Sequence, residues 1–345
     1  MSATIVRIEG EIIHHQKALE KLVKFLSEQS TPHLLVVTAL PELAQAIETE
    51  ILRTHEKEYS QKELEALLGS LEPFANSQGG DIGENKIRVE FRQQGQRLTG
   101  LLRGIHLTGD YSAALKDQVV SFGEQLTALL VAARLEQASG QSSVVSPEEE
   151  VPHVDRKGDS SAANPEGDVP HVDSKGDSSA ANPEEEVRRA GSKGESSQGG
   201  GNFSESERRR ITVVTPELLG LRVTADYGNA TFTALEHPAA VGAEAGEIVI
   251  VPGSYGITSN GKIARTGQSA ADYTAAFLAG ALEAQRLVLW NLRVEFTSVD
   301  PEIVPKAGIL RYLTYAEASE LSYFDHFDFH PRTIEPLQPG HIPIH

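Results

Sequence analysis

The densest cluster of metal-capable side chains is Phe324-Asp325-His326-Phe327-Asp328-Phe329-His330, with two aspartates and two histidines in seven positions. Carboxylate oxygen and imidazole nitrogen are the donors that divalent metals take, so the segment invites a metal reading. His326 and His330 stand four apart and share a face only in a helix. Pro331 steers His330 away from helical geometry, and the expectation is that no metal is held there. His14 and His15 are adjacent, and adjacent residues of a helix point apart. The chain has no cysteine, which excludes disulfides, thiolate metal sites and cysteine nucleophiles. There is no zinc spacing, phosphate-binding P-loop, dinucleotide fingerprint or nucleophile–His–Asp pattern. Asn202-Phe203-Ser204 and Asn229-Ala230-Thr231 fit a glycosylation sequon, but the N-terminus MSATIVRIEGEII lacks the layout of a secretion signal.

The elements that would position a site read as an alternating α/β chain. Residues 3–8 form a strand-like run, and 14–28 place Leu19, Leu22, Val23 and Leu26 on one helical face. Residues 34–38 are a buried-type strand, followed by a helix over 41–53 with Pro41 in its first turn. Further helices are expected over 61–71 and 112–137, the second interrupted near Gly123, and 86–91 reads as a short strand. Strands at 211–214, 247–251 and 287–290, a turn of helix near 216–221 and an alanine-rich helix over 270–284 complete the pattern. Such alternation predicts a mainly parallel sheet covered on both faces. Ligands then sit beyond the C-terminal strand ends, which points to the first strand–turn–helix and to the loop before Ala270.

Between the two halves lies a tandem repeat: VPHVDRKGDSSAANPEGD (151–168) is followed by VPHVDSKGDSSAANPEEE (169–186), with three of 18 positions changed. Residues 141–207 hold 15 acidic and 6 basic residues, half of the chain's net charge of −18. With few large apolar residues to offset the entropy of ordering, the stretch is expected to be a disordered insertion. A tolerated duplication is the plainer account of it; an acidic tether, or a metal-sequestering array through His153 and His171, is the functional alternative. The organisation expected is therefore one domain in two parts, 1–140 and 208–345, around the insertion 141–207. The acidic balance disfavours nucleic acid. The longest apolar runs, such as 126–133, are far too short for a membrane span, so a soluble cytoplasmic protein without membrane contact is expected.

The C-terminal third carries a long ordered pattern. DPEIVPKAGILRYLTYAEASELSYF (300–324) and HPRTIEPL (330–337) follow PGSYGITSNGKIARTGQSAADYTAAFLAGALEA (252–284), and upstream stand SFGEQLTALLVAARLEQ (121–137) and LLVVTALP (34–41). In this order the segments resemble the catalytic domain of aspartokinases, most closely that of the bifunctional aspartokinase–homoserine dehydrogenases. The resemblance implies the amino-acid-kinase fold, a three-layer α/β/α sandwich around a mainly parallel sheet. It implies transfer of the γ-phosphoryl group of Mg-ATP to the β-carboxylate of aspartate. By the same resemblance Arg7 stands at the family's lysine and Asp272 at its aspartate, the two candidate catalytic residues. Thr38 and Glu124 are the candidate substrate-binding residues.

Several positions depart from that pattern. The family's KFGGTS becomes Arg7-Ile8-Glu9-Gly10-Glu11-Ile12, which puts carboxylates beside the expected phosphates. Gly-Arg-x-Gly-Ser-Asp becomes Gly267-Gln268-Ser269-Ala270-Ala271-Asp272, which loses the arginine fork for a carboxylate. Pro41-Glu42 displace two glycines. Asn291-Leu292-Arg293-Val294 replaces the nucleotide loop, and residues 292–299 now alternate like a strand. The expectation is a catalytically impaired pseudoenzyme with a binding or regulatory role and no cofactor. It would partner an aspartokinase-like subunit in a homo- or hetero-oligomer. The alternative is an active kinase that uses Mg-ATP with Arg7, Thr38, Glu124 and Asp272. No ACT regulatory module is recognised before the sequence stops at GHIPIH (340–345).

Overall fold

The computed structural model describes residues 3–28, 31, 33–54, 59–76, 86–109, 111–139, 210–241, 247–267, 270–292, 304, 306, 308, 310–323 and 330–345. Met1–Glu150 and Arg208–His345 form one compact unit, and Val151–Glu207 a second that lies outside the described residues.

Five short apolar runs build the central sheet. β1 (Thr4–Ile8) and β2 (His33–Val37) are buried at every position, and α1 (Gln16–Ser27) connects them. After β2 come α2 (Pro41–Arg53), α3 (Lys62–Leu71), α4 (Lys86–Thr108) and α5 (Ala113–Ser139). β3 (Ile211–Val213), α6 (Pro216–Leu219), β4 (Leu221–Val223) and β5 (Phe232–Leu235) follow. The chain continues through β6 (Ile248–Pro252), β7 (Tyr255–Ile257), β8 (Ile263–Arg265), α7 (Ala271–Ala281), β9 (Arg286–Trp290) and α8 (Tyr315–Tyr323). The main sheet runs β3-β6-β2-β1-β9, with every pairing parallel.

Alternate residues of each strand feed opposite cores, as the pleat requires. Val6, Ile8, Leu35, Val37 and Ile250 join the cluster formed with α1 to α5. Ile5, Leu34, Val36, Val249 and Val251 join the cluster formed with α7 and the strands β4, β5 and β8. The result is helix layer, parallel sheet and second covering layer, the expected α/β/α sandwich.

Three differences from the sequence reading have physical causes. Residues 86–91 are the first turns of the 23-residue helix α4, not a strand. Its buried residues Ile87, Phe91, Leu98, Leu102 and Ile105 recur at helical spacing among glycines and charges that disguise it. α5 runs unbroken through Gly123, where a Cβ would stand only 3.2 Å from Ala39 Cβ; the missing side chain lets the helix pack on the loop after β2. A second sheet, β5-β4-β7-β8, is built from strands of three or four residues, too short to leave a pattern. The repeat insertion, the alternating run 293–299 and residues 324–329 of the Asp/His cluster lie outside the described residues.

Candidate functional site

Parallel pairing brings the C-terminal ends of β1, β2 and β6 side by side. Ile8 is in register with Val37, and Val37 with Pro252. The chain leaves each strand through a crowded turn. A Cβ on Gly10 would lie 2.7 Å from Thr127 Cγ2, 2.8 Å from the Thr38 carbonyl oxygen and 2.9 Å from Leu40 N. One on Gly253 would lie 2.6 Å from Ala271 Cβ. Only glycine allows these approaches. Gly10 N–H donates to the Thr38 hydroxyl at 3.0 Å, and Leu40 N–H to the Thr127 hydroxyl at 2.9 Å. Ser254 takes a left-handed backbone, φ 68°, with its N–H held by the Thr274 hydroxyl at 2.9 Å.

Arg7 and Asp272 meet in this crevice. Both are buried, and Arg7 Nε donates to Asp272 Oδ1 in a charge-assisted pair. Asp272 Oδ2 accepts the backbone N–H of His330 at 3.3 Å. Burial pushes the Asp272 carboxyl above its usual range, while Arg7 and the His330 N–H oppose that rise. Arg7 also lies 3.6 Å from Glu9, whose other oxygen accepts the Leu292 N–H at 3.1 Å. Glu9 thus ties the turn after β1 to the turn after β9. His330 accepts the Arg332 N–H on Nδ1 at 3.2 Å and stacks on Tyr273 with a 16° interplanar angle. Burial and the Arg332 charge both hold its pKa below the usual histidine value.

Glu124 occupies a different part of the site. It lies on α5 with a side chain 3% exposed, and its partner is Arg265 of β8 at 3.2 Å. Burial raises its pKa; the Arg265 charge counters most strongly, with a smaller contribution from the Ser254 hydroxyl. Asp117 sits one heptad earlier on the same helix. Its Oδ2 accepts the backbone N–H groups of Arg265 at 2.8 Å and Gly228 at 2.7 Å. Asp117 and Glu124 therefore clamp β8 to α5, one by its backbone and the other by its guanidinium.

Of the four residues singled out by the resemblance, Arg7 and Asp272 touch, and Thr38 holds the turn that follows Arg7. Glu124 pairs elsewhere, with Arg265. Sequence reasoning missed Arg265 and Asp117. The available signal was a guanidinium three positions before Gln268, where the resemblance looks for one; Gln268 itself lies outside the described residues. Among the described residues no group of three or more His, Asp or Glu side chains could hold a metal ion. Nor is any described helix long and apolar enough to cross a membrane.

The profile of the Amino acid kinase family matches residues 233–345. A bifunctional aspartokinase/homoserine dehydrogenase of Haemophilus influenzae is 39% identical over 97 residues, 28% of this chain and 12% of the relative. The lysine-sensitive aspartokinase 3 of Escherichia coli is 34% identical over 97 residues, 28% of this chain and 22% of the relative. The match thus spans less than a quarter of either relative's length. In structure, E. coli aspartokinase III in complex with aspartate and ADP superposes with a TM-score of 0.65 at 17% identity, covering 99% of this chain and 61% of that one. At that identity the superposition establishes the fold.

Proposed function

We propose that the chain, similar to the amino acid kinase family over residues 233–345 and to aspartokinases in fold, is a catalytically impaired aspartokinase-like protein with a binding or regulatory role. The observation that carries the proposal is that the charged groups at the strand ends neutralise one another. Arg7 is shared between Asp272 and Glu9, and Glu124 is matched by Arg265. Phosphoryl transfer depends on cations and backbone N–H groups left free to face spreading negative charge. An amino-acid acceptor further requires a carboxylate open to its ammonium group.

Neither condition is met by these side chains. A triphosphate entering beside Glu9 and Asp272 meets charges of its own sign, with one already paired guanidinium to offset them. At a few ångströms, like charges at an effective dielectric near 20 repel by roughly 4 kcal/mol. The Gly10 N–H, a natural phosphate donor, is given to Thr38. The described residues of the crevice do not fit Mg-ATP, and no step of a transfer is assigned to them. The role that remains is that of a non-catalytic subunit in the cytoplasm, pairing with an aspartokinase-like chain.

Isothermal titration of Mg-ATP into the protein, with aspartate present and absent, tests this reading. No saturable heat is expected at millimolar ligand. Saturable binding that Arg7→Met removes would instead favour an active kinase working through Arg7, Thr38, Glu124 and Asp272.

A further inference from the structure

A cavity of about 710 Å³ lies apart from the crevice that holds Arg7 and Asp272, neither of which lines it. It opens between α4 and α5 and is closed at its ends by the segment from β3 to α6 and by Pro252 and Ile263. α5 serves both places with different faces. Asp117, Glu124 and Thr127 turn to the crevice and β8. Gln118, Phe122, Gln125 and Leu129, spaced four, three and four apart, form a separate stripe along the cavity.

The chemistry of the wall selects a ligand class. Phe122, Leu129, Leu101 and Ile263 supply apolar surface. Four carboxamides line the same space from the two helices; Gln94 and Gln125 give an amide N–H to Glu90 at 2.6 Å and to the Ser121 hydroxyl at 3.0 Å, and no such bond engages the edges of Gln93 and Gln118 among the hydrogen bonds described. A carboxamide offers a donor and an acceptor side by side, the complement of a heterocycle edge with the same adjacent pair. The four ionic residues in the wall, Lys86, Arg97, Glu90 and Glu217, cancel in charge. A neutral lining in a chain of net charge −18 gives no preference for a cation and no countercharge for a phosphate. The volume falls within the range of small-molecule sites, which combine apolar walls with a few convergent polar groups.

We propose that the cavity between α4 and α5 is a binding site for a small uncharged heterocycle of the nucleobase or nucleoside class. Its amide edge pairs with the glutamines and its ring face lies against the apolar wall. The site is linked to the Glu124 clamp: Glu217 of its wall and Glu124 of the clamp both act by charge on the buried Tyr255 hydroxyl. This inference deepens the binding role proposed above by giving it a ligand class and a place.

Cytidine and adenosine, with ribose as the base-free control, are titrated into the full chain by calorimetry. Saturable binding of a nucleoside with a submillimolar Kd is expected, with none for ribose. Gln93→Leu, which keeps the shape and removes the edge, and Gln118→Trp, which fills part of the cavity, are each expected to weaken it about tenfold or more. Circular dichroism confirms that each variant is folded. Absence of nucleoside binding overturns the inference and leaves the catalytic reading untouched. Binding that ignores both glutamine variants and is lost in Arg7→Met places the ligand in the crevice, and overturns both.

Discussion

Removing Arg265 while keeping Glu124 would leave a carboxylate whose side chain is 3% exposed without its counterion. At the 3.2 Å separation of the pair, Coulomb attraction at an effective dielectric near 20 is about 5 kcal/mol. The cost of withdrawing both ions from water offsets most of this, so the pair adds little net stability while the loss of one partner is expensive. Arg265→Met is therefore expected to destabilise the fold by about 3 kcal/mol. Glu124→Gln should cost less, because the Arg265 side chain, at 15% exposure, is nearer to solvent. The double variant Glu124→Gln/Arg265→Met should be more stable than Arg265→Met alone, with a coupling of about 2 kcal/mol. Urea denaturation followed by circular dichroism gives all four corners of the cycle, provided the m-value is unchanged. Additive single effects, or an Arg265→Met loss no larger than that of a surface substitution, would refute the claim that the pair is a closed internal unit.

The same carboxylate has a pH signature. Because burial raises its folded pKa above the unfolded value of 4.5, the stability it contributes is full below that value and is lost as pH rises through the folded pKa. Glu124→Gln should therefore lose less stability than the parent between pH 4 and neutrality, measured by denaturant midpoints; an identical slope argues against the burial. Asp117→Asn keeps the shape but weakens two hydrogen bonds to a carboxylate, at 2.7 and 2.8 Å. A loss of about 1.5–3 kcal/mol is expected, with faster amide exchange at Gly228 and Arg265 than elsewhere. Gly10→Ala drives a Cβ to within 2.9 Å of three neighbours, two of them backbone atoms, and is expected to cost about 1–3 kcal/mol or more. Gly104→Ala, in α4 with nothing within 4 Å of the new Cβ, should instead stabilise by about 0.5–1 kcal/mol. Equal melting shifts for the two glycine variants would contradict the packing described for the turn after β1.

Much of this fold could be read from the chain because its strands are unbroken apolar runs between helices with clear faces. β1, β2, β6 and β9 fell where Ile, Leu and Val cluster, and α2 runs over Pro41–Arg53 as its proline and spacing foretold. α4 was hidden because its apolar residues are diluted by glycines, glutamines and arginines, and only tertiary packing against α5 decides its state. The small sheet was hidden because three residues are too few for alternation to register. The site was half legible. Arg7 and Asp272, 265 positions apart, were both named, since the order of segments resembles a known domain. The Glu124–Arg265 pair, 141 positions apart, depends on how β8 lies on α5 and leaves no local trace.

The central claim is that the paired charges of this crevice leave no working phosphoryl-transfer site. Hydroxylamine trapping of an acyl phosphate, with the full chain, Mg-ATP and aspartate, tests it most directly. The account predicts a signal no greater than that of Asp272→Ala. Turnover well above that control, and lost when Glu124 or Asp272 is replaced, would contradict it.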